Sequence, residues 1–344
     1  MNKSYNCLVK FIPTGKFYFG GEIGHKSRGR GNGRTEELTS YIVRSQIFPQ
    51  QTTLLGALRY ALWQLSGKSL DEAPIGDTSF HLNNPLADED FGCIKGLSEL
   101  YVCHQNQYYW LQPLYNHLPF ENGILQGFDP KKSPPQYFVS STDCQPKDAL
   151  FKKSEQVGVI TYASKKRWQL EEDEAFYRQS FYQFKSPEDG FAFLAVLDDT
   201  EIAAFLNKDL LMPVGGENSL FKVIIEAIPA DFVQPVFQNK DATYHKIILT
   251  SDALLTNEVV DTADFAIADT VDFRFLNTNR KNTVSWSDLQ QNDKKSPSFS
   301  QKYELFARSS VFYFDTASKA ALLINALNAE KAMRQIGYNQ YIFQ

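Results

Sequence analysis

The sequence predicts an α+β chain of two ferredoxin-like domains of the RNA-recognition type, the first with large insertions. Two stretches and one change of texture lead there. Gly190 to Leu197 is an unbroken apolar run of strand length, and Asp198 to Glu201 carries the capping residues of a helix start. Ile202, Phe205, Leu206 and Leu210 then recur at helical spacing. Pro213 to Ser219 breaks that helix, and Phe221, Val223, Ile225 and Ala227 alternate as a second strand. Strand, helix, glycine loop and strand make the core of a split βαβ unit. The chain up to Gly67 reads as half of another. Between Ser69 and Lys153 the composition turns to Pro, Gly, Asn and scattered aromatics, the texture of insertions (about 69–153). The domains then divide as 1–189 and 190–344.

Taken in order, Tyr5 to Ile12 is a first strand, Pro13 to Gly15 a turn, and Lys16 to Phe19 that strand's continuation. Gly24 to Arg34 holds Lys26, Arg28, Arg30 and Arg34 among glycines, with no acidic residue between Glu22 and Glu36. Such a loop cannot pack as an element; it either folds onto a phosphate backbone or stays solvated. Tyr41 to Phe48 is a strand. Pro49 to Thr53 caps a helix with Leu54, Leu55, Leu58, Ala61, Leu62 and Leu65 on one face and Gly67 as its stop. Gln50, Gln51, Thr52 and Thr53 sit at that helix's positive end, where an anion docks. Glu99 to Cys103, Gln107 to Leu111 and Val157 to Thr161 are strand-like. Lys165 to Arg167 form a basic cluster that Glu171 to Glu174 can neutralise. His245 to Leu249 is a strand, Val271 to Arg280 a strand then loop, and Gln290 to Lys302 polar and flexible. Phe306 to Phe314 is a strand, Ala317 to Arg334 a helix ended by Gly337, and Tyr338 to Phe343 extended.

Composition narrows the chemistry. The chain has 344 residues, 27 Phe and 17 Tyr among them, and a net charge of −5. That balance argues against a free-standing, sequence-blind nucleic-acid binder, so any RNA contact is local. No apolar run reaches membrane-spanning length and no apolar leader opens the sequence; the expectation is a soluble, cytoplasmic protein. Cys7, Cys93, Cys103 and Cys144 lie far apart, as reduced thiols do. A zinc site from Cys93, Cys103, His104 and Cys144, with His81 and His117 nearby, lacks the tight ligand spacing of structural zinc. No metal, cofactor or catalytic residue is expected. In the glycine loop, Gly215 and Gly216 permit positive φ and close backbone approach; Asn218, Ser219 and Lys222 add donors and a charge. Paired glycines there are either a helix stop and tight turn or a phosphate cradle.

Four segments carry a resemblance. Phe48 to Arg59 looks like a proline-threonine loop leading into a Gly-Ala-Leu-Arg helix, and Gln156 to Val159, through Phe176 and Tyr177, like a glycine-isoleucine strand and its Leu-Tyr pair. Val214 to Ser219 looks like a glycine-glycine-glutamate loop, and Ser309 to Phe314 like a glycine-serine-valine strand. No one of them is specific; in this order they resemble the RAMP superfamily of CRISPR proteins, most closely the family of third subunits of the type III-B (Cmr) effector complex. The resemblance spans nearly the whole chain. It implies two fused ferredoxin-like domains that bind the repeat-derived 5′ handle of the guide RNA (crRNA) and contact the large polymerase-like subunit and a backbone RAMP subunit. The residues expected to face RNA are Gly20, Gly21, Lys26, Arg28, Arg30, Arg34, Arg44, Gln50, Gln51, Thr52, Thr53, Arg59, Gly215, Gly216, Asn218, Ser219, Lys222 and Arg308. Arg308 stands where the family usually has glycine and would supply a charge in place of amide contacts. Two alternatives stay open: a guide-processing RAMP endoribonuclease, for which only His25 lies in an RNA-facing loop, and a structural bridge of a Csm-type complex.

Overall fold

The computed structural model describes residues 6–20, 23–26, 40–76, 80, 82, 91–115, 118–121, 124–129, 131–132, 134–159, 176–198, 203, 205–237, 245–277 and 298–344. Lys165 to Arg167 and the helix start at 199–202 lie outside them.

Four layers stack. In the middle, two sheets meet face to face, and each has a helix on its outer side. The larger sheet has nine strands, ordered Cys144–Pro146, Tyr137–Val139, Gln107–Leu111, Tyr101–His104, Gly190–Leu197, Cys7–Pro13, Leu220–Ala227 and Lys208–Pro213, with Ile94–Leu97 also on Gly190–Leu197. Alternation along Cys7–Pro13 sends Val9 and Phe11 toward the long helix Gln51–Ser66, where Leu54, Leu58, Ala61 and Leu62 meet them. Leu8, Ala192 and Leu194 face the other way, onto Ile248, Val311 and Tyr313 of the second sheet. That sheet is Phe265–Ile267, Val311–Phe314, His245–Leu249 and Tyr341–Phe343. Its outer residues Ile247, Leu249, Phe312 and Phe314 pack on Ala320, Leu323 and Leu327 of the helix Ala317–Ala329. Burial on both faces is why Gly190–Leu197 and Val311–Phe314 are apolar without alternation. Gly190 is required by proximity: a Cβ there would lie 2.5 Å from the Phe11 carbonyl oxygen.

Several expectations are corrected. The residues through Leu210 do not continue as a helix: Phe205 to Asn207 is a turn, and Lys208–Pro213 is a strand hydrogen-bonded to Leu220–Ala227. Leu210 and Met212 alternate as well as they fit helical spacing, and the neighbouring strand decides. The stretch 69–153 is no decoration, since Tyr101–His104 pairs with Gly190–Leu197 and extends the main sheet. The boundary drawn at 189/190 runs through that sheet: Cys7–Pro13 lies before it and both its partners after it. Ile23–Lys26, placed in the basic loop from Gly24 onward, is a strand on Ser40–Val43. Phe17 to Phe19 does not prolong the first strand; it bridges Tyr182, Gly216 and Gln46 in turn. Phe306 to Phe314 is broken by a turn at Ala307 to Ser310, with Ser309 at φ 68°. The last helical stretch breaks at Glu330. No helix among the described residues is long and apolar enough to cross a membrane.

Candidate nucleic-acid interface

The segment from Arg44 to Thr53 runs out of Ser40–Val43 and into the long helix. Three depressions follow it. The first, about 280 Å³, brings Gly20 and Arg44 against Thr270 to Asp272. The second, about 410 Å³, shares Ser45, Gln46, Thr270 and Val271 with it and continues past Phe48 to Lys147, Tyr182 and the turn Ala307 to Ser310. The third, about 660 Å³, gathers Gln50, Thr52, Thr53 and Arg59 with Tyr60, Phe80, Gly215, Arg274 and Phe275. Of the sequence-predicted residues, Gly20 and Arg44 line the first depression, Arg308 the second, and Gln50, Thr52, Thr53, Arg59 and Gly215 the third; all three lie along the Arg44 to Thr53 segment, and the third shares no lining residue with the other two.

Local structure explains each placement. The long helix starts one residue after its cap Gln50, whose backbone is extended (φ −67°, ψ 150°) and whose side chain makes no cap bond. Thr52 and Thr53 lie in the first turn, so they do not cap as expected; both line the third depression. Gln50 Nε2 donates to the Asp272 carbonyl at 3.2 Å, tying the helix start to the opposite wall. Gln51 points the other way: it is fully buried, and its amide nitrogen and oxygen have no hydrogen-bond partner. Arg59 Nη2 donates to the Gly76 carbonyl at 2.8 Å. Gly67 ends the helix at φ 65°, its N–H on the Gln64 carbonyl.

The glycine loop is the end of a hairpin. Glu217 and Asn218 have φ of 56° and 52°, and the Ser219 N–H closes on the Gly216 carbonyl at 3.2 Å, a type I′ arrangement. The Gly216 N–H donates to the Tyr18 carbonyl at 3.0 Å, while the Ser219 hydroxyl accepts the Tyr18 N–H at 3.0 Å and donates to the Gly216 carbonyl at 2.8 Å. These donors, expected to be open to a phosphate, are already engaged, so the loop's first role is to clamp Tyr18. Gly215 (φ +80°) is the loop glycine that lines the groove, with a hypothetical Cβ 2.6 Å from the Tyr18 carbonyl oxygen. At Gly216 the obstacle is the Tyr18 ring, which can move. Gly215→Ala should therefore destabilise by about 1–3 kcal/mol, and Gly216→Ala by less, read as the shift in urea midpoint. Equal midpoints would show that the Gly215 backbone is not constrained. Lys222 is on the sheet face opposite Phe221, ion-paired with Asp209 at 2.7 Å and away from the groove.

Arg308 is buried. Its guanidinium carbon lies 4.2 Å from the Phe48 ring centre and its Nε 3.5 Å from Asp252 Oδ1. Gly21, Arg28, Arg30 and Arg34 lie outside the described residues, as does the side chain of Lys26. Sequence reasoning missed Lys147, Tyr182, Tyr60 and Arg274. Lys147 sits 5.6 Å from the Tyr182 ring centre and donates to Gln136 Oε1 at 2.9 Å; burial holds its ammonium below the usual lysine range. For Arg274 there was a signal, a cation between Phe273 and Phe275 in a strand that opens into a loop.

The histidines and cysteines do not converge on this groove. His104 Nδ1 lies 2.8 Å from Asp189 Oδ2, Cys144 is exposed beside Gln112, and Cys93 and Cys103 are buried, the latter with its thiol pushed up to about 11 by burial. His245 stacks on Phe343 with ring centres 5.5 Å apart. No group of three or more metal-capable side chains occurs among the described residues. His81 and His117 fall outside them, as does the side chain of His25.

No curated protein matches the chain. A chain in the cryo-EM structure of the type III-B Cmr-beta complex bound to cognate target RNA shares the fold, with a TM-score of 0.51 at 13% identity over 97% of this chain and 96% of that one. The same complex with AMPPnP also bound, in its state 1, gives 0.50 at 14% identity over 97% and 96%. The family described as CRISPR-associated protein (Cas_Cmr3) matches residues 123–343. That span holds the Gly215 hairpin, the Arg308 turn and the groove wall from Ile267 to Phe275. With well over half of its length matched, the chain belongs to the Cmr3 family of CRISPR-associated proteins.

Proposed function

We propose that this chain is the non-catalytic, guide-RNA-binding subunit of a type III-B effector ribonucleoprotein. Its groove grips the repeat-derived 5′ handle, and its flanks join the large polymerase-like subunit to a backbone RAMP subunit. The observation that carries the reading is that Gly20 and Arg44, then Gln50, Thr52, Thr53, Arg59 and Gly215, line successive depressions along the Arg44 to Thr53 segment. A single strand is held by cations that track its backbone and by aromatic surfaces beside them. Arg44, Arg59 and Arg274 supply the first, the exposed Tyr60 ring the second, and a 16-residue helix begins beside them. Each half fits a ferredoxin-like domain: one around Cys7–Pro13 and the long helix, the other around His245–Leu249, Val311–Phe314 and Ala317–Ala329.

The processing-enzyme alternative named His25, whose side chain lies outside the described residues; the described His104–Asp189 pair, 2.8 Å apart, lines none of the three depressions. Ultraviolet cross-linking of the assembled complex with labelled guide RNA, followed by peptide mapping, tests the proposal. Cross-links are expected at Tyr60 and within Arg44 to Thr53. Cross-links restricted to the Tyr101–His104 side, with metal-independent cleavage of repeat RNA lost in His104→Ala, would replace it with the processing reading.

A further inference from the structure

Among the described members of the predicted RNA-facing set, Arg308 is the one whose cation is sealed inside the protein at the groove's wall. Both terminal nitrogens, Nη1 and Nη2, are buried and have no hydrogen-bond partner. Such N–H groups are costly to leave bare and are usually met by ordered water. A phosphate cannot reach them where they lie. What the side chain does touch is structural. Its plane stacks on Phe48, which packs in turn on Phe138 and Phe191 of the core. The Asp252 carboxylate takes both Arg308 Nε, at 3.5 Å, and the Arg308 backbone N–H, at 2.9 Å. The Asp252 carbonyl accepts the Asn339 N–H at 3.1 Å, so the same joint reaches the chain's last turn. Glu99, buried and pushed upward in pKa by that burial, feels Arg308 as its opposing charge. The Phe48 and Asp252 segments meet on this guanidinium and Glu99 feels its charge; the first of them is the floor of the RNA groove.

We propose that Arg308 is a positioning residue: wedged between Phe48 and Asp252, it fixes the seat of the Arg44–Thr53 segment and contacts no phosphate. The inference rests on the RNA reading of the groove, and salt dependence separates the two. A cation on a single-stranded phosphate backbone contributes about 0.7 to the slope of log affinity against log salt. A cation that only holds the floor in place contributes to affinity and not to slope. Lysine discriminates further, because it keeps the charge and loses the planar stack and the guanidinium fork.

The experiment measures guide-RNA retention by the reconstituted complex across a salt series, with the melting temperature of each variant recorded. Arg308→Met and Arg308→Lys should both weaken retention about tenfold, roughly 1.4 kcal/mol, with the wild-type slope kept. Asp252→Asn should weaken it about threefold and add nothing to Arg308→Met, as expected for partners in one contact. Arg44→Ala, the control, should lower the slope by about 0.7. Should Arg308→Met fail to fold, Asp252→Asn carries the same slope comparison. A slope lowered in Arg308→Met and restored in Arg308→Lys makes Arg308 a phosphate ligand and overturns the positioning role alone. Retention indifferent to Arg44→Ala, Arg308→Met and Asp252→Asn alike overturns the groove reading and this one with it.

Discussion

Replacing Phe17 with alanine is expected to cost about 3–5 kcal/mol of stability, the range for removing a wholly buried aromatic ring. Its ring lies between 5.3 and 6.5 Å from those of Phe19, Tyr182, Phe184, Phe191 and Phe221, which come from four separate stretches of chain. Its backbone exchanges two hydrogen bonds with Tyr182, at 2.8 and 3.1 Å, at the start of the Phe17 to Phe19 bridge. Removing the ring loosens the piece of chain that the Gly215 hairpin clamps and that leads into Gly20. Melting followed by circular dichroism should fall on the order of 10 °C, with Phe17→Leu losing clearly less. A fall under about 2 °C would mean that the bridge is held by its backbone bonds and not by the ring.

The second large effect is on RNA. Arg44 and Arg274 are exposed and line two of the three depressions. Reversing both, as Arg44→Glu with Arg274→Glu, should lower the salt slope of guide-RNA retention by about 1.4 units, two single-strand phosphate contacts. Such contacts contribute little near ~1 M salt, so the same slope implies roughly 25-fold weaker retention at ~0.1 M. Neither side chain is packed, so the melting temperature should stay within about 2 °C. A double variant that keeps the wild-type slope would show that RNA does not run along these depressions.

Elements with strong local signals were legible from sequence. The long helix has its apolar face and its Gly67 stop where spacing puts them, and Gln107–Leu111 and His245–Leu249 have the expected limits. Lys208–Pro213 was not legible, because Leu206 and Leu210 fit a helical period and only the pairing with Leu220–Ala227 selects a strand. The role of Tyr101–His104 in the main sheet was hidden for the same reason: its partner begins at Gly190. At the site, Gln50, Thr52 and Thr53 could be found because a helix start is a local pattern. Lys147 and Tyr182 could not, since tertiary packing alone brings them to the groove. The engagement of Gly216 and Ser219 depends on Tyr18, about two hundred residues away, which no local motif encodes.

The strand order has a consequence for how the protein comes into being. Cys7–Pro13 finds its partners only in Gly190–Leu197 and Leu220–Ala227, with Phe11 opposite Val223. Ribosomes add about 5–20 residues each second, so roughly 10–40 s separate the emergence of these two positions. Until Gly190–Leu197 emerges the segment of Leu8, Val9 and Phe11 has neither partner, and until Leu220–Ala227 emerges one of its edges stays open, the kind of segment that pairs with the wrong neighbour. A fragment ending at residue 189 contains the middle of the main sheet and neither of the strands that flank it. Nascent chains of this protein should therefore depend on holding chaperones until Ala227 has cleared the exit tunnel.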